Sequence, residues 1–165
     1  MRPVLIAALL AGSVLAAPAR AHVTIDPQEA PAGGYVRAAL RVPHGCPDPG
    51  TSRILVRLPE GVLSASPMPK PGWRLSITRG PAPAPGRDGR VTEIAWEGGP
   101  LPEDQYEEFV LMLHVAGRPG ETLALPVLQG CAGGFAVDWA ELPAPGRSLE
   151  RPAPLLRLVP GRGHH

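Results

Sequence analysis

The residue with the clearest chemistry in this sequence is His22. It follows Ala19-Arg20-Ala21, a small-x-small motif of the kind cut by signal peptidases. Cleavage after Ala21 makes His22 the first residue of the mature chain. A terminal histidine offers two nitrogens to one metal ion, because the free α-amine and the imidazole Nδ1 close a six-membered chelate. The α-amine has an ordinary pKa of about 7.7–8.0, so its proton is displaced at little cost near neutral pH. Nitrogen donors in a tetragonal arrangement favour Cu(II), which also heads the divalent affinity order. The alternative is a histidine that processing leaves there by coincidence.

Other residues with metal or redox chemistry are few. Cys46 and Cys131 are the only cysteines. In an exported chain two cysteines are expected to form one disulfide; the alternative is a thiol pair for soft Cu(I). His44 lies in Pro43-His44-Gly45-Cys46, a tight turn, and reads either as a surface histidine or as a further ligand. His114 alternates with Leu113 and Val115, so it lies on the strand face opposite them. His164 and His165 sit in a tail with no fixed geometry. Glu103, Asp104, Glu107 and Glu108 crowd around Tyr106 and read as a solvated acidic turn. No Cys-x-x-Cys, phosphate loop, dinucleotide fingerprint or Gly-x-Ser-x-Gly frame is present. The residues describe a binding protein rather than an enzyme.

Positioning these groups falls to short strands. The chain has 165 residues, of which 20 are Gly and 23 Pro, about twice the usual share. That load excludes long helices, coiled coils and doubly wound α/β enzymes. Met1 to Ala21 reads as a signal peptide: Arg2 supplies the positive start, and the apolar run from Val4 to Ala17 is too short to span a membrane. No second run of spanning length follows, so the mature chain is expected to lack a membrane anchor and to be periplasmic or secreted. The 16 Lys and Arg nearly balance 15 Asp and Glu, and losing Arg2 and Arg20 leaves no basic stripe for nucleic acid.

Period-two alternation marks nine strands: 23–25, 35–42, 53–58, 73–78, 92–97, 109–115, 123–131, 135–139 and 155–159. Nine short strands with Pro/Gly turns predict an all-β, immunoglobulin-like antiparallel sandwich. The expected layout is a signal peptide over 1–21, one domain over 22–160 and a tail over 161–165.

Several segments, in order, resemble the YcnI-like family of exported copper-binding domains. They are His22-Val23-Thr24, Arg41-Val42-Pro43-His44-Gly45-Cys46, Leu58-Pro59-Glu60-Gly61-Val62 and Met68-Pro69-Lys70-Pro71-Gly72-Trp73. Tyr106-Glu107-Glu108-Phe109, Pro126-Val127-Leu128-Gln129-Gly130-Cys131 and Asp138-Trp139 complete the set. The resemblance implies an immunoglobulin-like domain with a monohistidine brace for Cu(II). By position the brace is His22, and the tryptophan close to the metal is Trp139; Trp73 is assigned to packing. The place of the family's acidic ligand falls at about Leu55, and the chain matches the cysteine-containing branch. The third ligand is therefore sought at His44, then at Asp48, Asp138 or Glu141. The function expected is copper trafficking or copper tolerance, with a copper chaperone or copper-transport partner. Two rivals are a metal-free interaction sandwich and a histidine-brace copper monooxygenase; the second needs an opposed histidine and an aromatic-rich face, against 4% aromatics here.

Overall fold

A computed structural model of the chain describes residues 22–161; residues 1–21, expected above to be a signal peptide, and residues 162–165 lie outside the described residues. The fold is all-β. In chain order the strands are β1 (Thr24–Asp26), β2 (Glu29–Pro31), β3 (Tyr35–Val42), β4 (Thr51–Arg57), β5 (Val62–Pro67) and β6 (Trp73–Arg79). They continue as β7 (Val91–Leu101), β8 (Glu107–Val115), β9 (Thr122–Ala124), β10 (Val127–Cys131), β11 (Ala136–Trp139) and β12 (Leu155–Val159).

Two sheets form the sandwich, ordered β1-β3-β8-β5 and β11-β10-β4-β7-β6, and a small third sheet, β2-β12-β9, closes one side. The alternation seen in the sequence becomes the inner faces. Val36, Ala38, Leu40 and Val42 from β3 join Phe109, Leu111, Leu113 and Val115 from β8. They meet Ile54, Val56, Ile94, Trp96 and Val127 from the facing sheet, burying the apolar face each sheet must hide from water. Trp96 is fully buried, and its indole donates to the Met68 carbonyl (3.1 Å). Trp73 packs edge-on against Phe109, 5.1 Å between ring centroids.

Twelve strands replace the nine expected, and each addition has a local cause. β2 is three residues ending in a proline, and it pairs parallel to β12, so the sandwich is not wholly antiparallel. β5 carries a register shift between Val62 and Ser64, so its buried residues fall at Val62 and Ala65 and break the period of two. The run 123–131 is two strands, because the chain changes sheets at Leu125-Pro126: β9 pairs with β12, and β10 with β4 and β11.

Of the acidic residues around Tyr106, Glu103 and Asp104 are exposed, while Glu107 and Glu108 are paired. Lys70 meets Glu107 at 2.8 Å, and Glu108 binds Arg41, which also binds Asp26. The Tyr106 hydroxyl donating to Glu108, and then the Arg41 guanidinium, hold the Glu108 carboxyl below its ordinary range. A carboxylate lowered in the folded state contributes stability above its unfolded pKa and loses it as pH falls through the lowered value. Tyr106→Phe should raise the Glu108 titration midpoint, read by NMR of the side-chain carboxyl. The group is exposed, so the global melting temperature should scarcely move.

Candidate metal centre

Thr24 pairs with Arg41 and Ile25 with Leu40 along β1, and Val23 and Ile25 point into the core. His22 precedes β1, at the outer strand of the four-stranded sheet. Trp139 ends β11, at the outer strand of the five-stranded sheet, opposite Val127 and so in line with Val56. The two rings meet across the gap between the sheets, 5.9 Å between centroids in a T-shaped contact at 64°. The His22 Nε2 is buried without a hydrogen-bond partner, and Trp139 is only 8% exposed. On its other side His22 lines an open cleft of about 430 Å³, shared with Thr24, Gln28, Glu29 and Arg157. Glu29 is engaged in an ion pair with Arg157.

Cys46 and Cys131 form a disulfide, with Cα atoms 5.7 Å apart. It fastens the 43–50 turn to the end of β10, and Ala132 N–H donates to the Gly50 carbonyl (2.9 Å) as a second tie. The turn packs closely on the 101–102 backbone: Gly45 donates to the Pro102 carbonyl, and a Cβ there would collide with the carbonyl oxygens of Leu101 and Pro102. Only glycine fits.

The other sequence candidates are not grouped around His22. The His44 ring is exposed, and its Nδ1 is 2.8 Å from the Gly45 carbonyl. Asp138 pairs with Arg57 at 3.3 Å on the outer surface of its sheet. Glu141 accepts from the backbone N–H groups of Arg151 and Glu150, which hold its carboxyl below the ordinary range. Leu55 pairs with Leu128 and lies one residue out of phase with Val56, so it occupies the sheet face turned away from Trp139. Asp48 is exposed. His114 stacks on Tyr35 at 4.4 Å on the outer face. Among the described residues no three His, Cys, Asp or Glu side chains converge to hold a metal ion. The arrangement is thus one histidine against one tryptophan, open to a cleft.

Two residues to which the sequence reading gave no part in the site complete its surroundings. Thr51 and Gln129 are the buried polar side chains of the described core. The Trp139 indole donates to Gln129 Oε1 (3.1 Å), and Gln129 Nε2 donates to Thr51 Oγ1 (2.9 Å) and to the His44 carbonyl (3.1 Å). Thr51 Oγ1 also accepts from Cys46 N–H and donates to Cys46 Sγ. The available signal was parity: Gln129 takes the inward position between Val127 and Cys131, where an apolar residue is expected.

Comparison with known proteins bears on the family and the fold. The chain is 29% identical over 136 residues to the copper-binding protein CutI of Bacillus subtilis, a match spanning 79% of this chain and 61% of CutI. It is also similar to an immunoglobulin-like crystal structure of an uncharacterized protein from Nocardia farcinica. The TM-score is 0.70 and the identity 31%, covering 84% of this chain and 98% of that one. A family described as "Domain of unknown function (DUF1775)" matches residues 22–158, beginning at His22 itself. The chain therefore belongs to the DUF1775, or YcnI-like, family.

Proposed function

We propose that the exported chain, cleaved after Ala21, is a periplasmic Cu(II)-binding protein acting in copper trafficking or copper tolerance. One observation carries the reading: His22, the residue that cleavage would free, stands ring to ring with Trp139 across the two sheets. The likeness to a relative named for copper binding supports the choice of metal.

His22 supplies the α-amine and Nδ1 as donors. With Nδ1 so used, the imidazole proton resides on Nε2, which is buried without a hydrogen-bond partner. A buried N–H without an acceptor costs about 1–3 kcal/mol, so the metal chelate rather than a protein hydrogen bond sets the tautomer. Trp139 packs against the ring, restricts its orientation and shields it from solvent on the core side. The cleft side remains open. A site with few protein donors and an open flank suits passage to a copper chaperone or copper-transport partner better than a closed four-ligand cage.

Electron paramagnetic resonance of Cu(II)-loaded protein tests this. The processed terminus is verified by mass spectrometry, and a control carries one extra residue before His22. A tetragonal, nitrogen-rich signal in the processed protein, lost in the control, is expected. The same signal in both would move the metal away from His22 and overturn the reading.

A further inference from the structure

We infer that Gln129 is a positioning residue that holds the Trp139 indole in place and ties it to the Cys46–Cys131 disulfide. Its bearing on copper rests on the function proposed above; its action on Trp139 does not.

The carboxamide can sit in only one way. An indole N–H is donor only and a backbone carbonyl is acceptor only. With Trp139 on one side and the His44 carbonyl on the other, Oε1 must face the indole and Nε2 the turn. Both Nε2 protons are then used, one on His44 O and one on Thr51 Oγ1. The Thr51 hydroxyl is saturated too, accepting from Gln129 and Cys46 N–H and donating to Cys46 Sγ. Every side-chain donor in this network is used. A movement at Cys46 must therefore break a bond or be passed on, and the next group along is the indole. The disulfide is what keeps Cys46 fixed against β10, the strand that carries Gln129. His44 enters through its backbone carbonyl, so the coupling does not require its ring.

Reduction of the disulfide should thus loosen Trp139 first, and through it the orientation of His22. A tryptophan that merely filled space would not respond in this way. Trp96 provides the internal reference, because its indole donates to Met68 O and has no bond to the network.

The test follows indole N–H exchange by ¹⁵N NMR in metal-free protein, with signals assigned by Trp→Phe variants. In Gln129→Met, or in the parent after reduction, the Trp139 indole should exchange about tenfold faster, as expected for one lost hydrogen bond. The Trp96 indole should be unchanged in both. Reduction of Gln129→Met should add little more at Trp139, because the tie is already cut. An unchanged Trp139 signal in Gln129→Met, or a reduction effect of full size in that variant, would overturn the inference. Should Gln129→Met not fold, Thr51→Val carries the test: its oxidised form should keep the Trp139 bond and respond less to reduction than the parent. An undiminished response there also overturns the inference. In processed protein Gln129→Met should weaken Cu(II) binding about tenfold, the usual scale for a group that orients a ligand; equal affinity would overturn its bearing on copper. If the parent itself binds no copper, the function proposed above fails, while the indole measurement still decides the role of Gln129.

Discussion

His22→Ala, in protein whose processed terminus has been verified, is expected to lower Cu(II) affinity by about two to three orders of magnitude. The size follows from ligand count. Structural zinc sites with four protein ligands bind with about 10–16 kcal/mol, which is roughly 2.5–4 kcal/mol per ligand, and each 1.4 kcal/mol is a factor of ten. Removing the imidazole breaks the chelate and leaves a lone α-amine. No cluster of acidic or histidine side chains stands nearby to replace it among the described residues. Isothermal titration with a competing chelator measures the change. Stability should fall far less, because His22 is only partly buried and its Nε2 forms no hydrogen bond. A loss of affinity under tenfold would place the copper elsewhere. His44→Ala is the companion variant: its ring is exposed and turned to the Gly45 carbonyl, so affinity should be retained.

The contrast between those two histidines shows what a sequence can and cannot convey. His22 could be singled out in the sequence because the chemistry proposed for it depends on a chain position that a cleavage motif announces. The sandwich was legible because inner faces need apolar residues at every second position, and Val36, Ala38, Leu40 and Val42 keep that rule for a whole strand. β5 was not, because a bulge puts its buried residues three apart. The break at Pro126 was hidden because Leu125, Val127, Gln129 and Cys131 keep one inward parity across it although the chain changes partners. Trp139 entered through family resemblance, since no spacing links it to His22; only the meeting of two edge strands does. The same limit explains Thr51 and Gln129. Their importance lies in hydrogen bonds to groups distant in sequence, and a sequence read one element at a time contains no such pairs. For the third ligand, resemblance placed the family's acidic position at about Leu55, which has no donor and which the strand register turns away from Trp139; that left His44, Asp48, Asp138 and Glu141 as the sequence candidates.

Loss of the disulfide is the second large effect expected, and it acts on the whole fold. Cys46 and Cys131 are 85 residues apart. Closing a loop of that length removes enough freedom from the unfolded chain to contribute about 4–5 kcal/mol on the chain-entropy estimate, an upper value. For a domain of this size each kcal/mol moves the melting temperature by about 3–4 °C, so a Cys46→Ala, Cys131→Ala double variant should melt about 10–20 °C lower. Part of the loss comes from the folded state. The bridge fastens a turn whose His44 carbonyl, together with the Thr51 hydroxyl at the start of β4, satisfies the buried Gln129, and an unpaired buried amide adds about 1–3 kcal/mol. The two contributions separate experimentally. Chain entropy acts on the unfolded state and leaves the native indole signals alone, whereas slackening of the turn reaches Trp139 while the protein is still folded. Calorimetry of the double variant together with its Trp139 indole exchange therefore distinguishes them. A melting temperature within a few degrees of the parent would mean that the sandwich core alone defines the native state. The 43–50 turn would then be held by its packing on Leu101 and Pro102 rather than by the sulfur bridge.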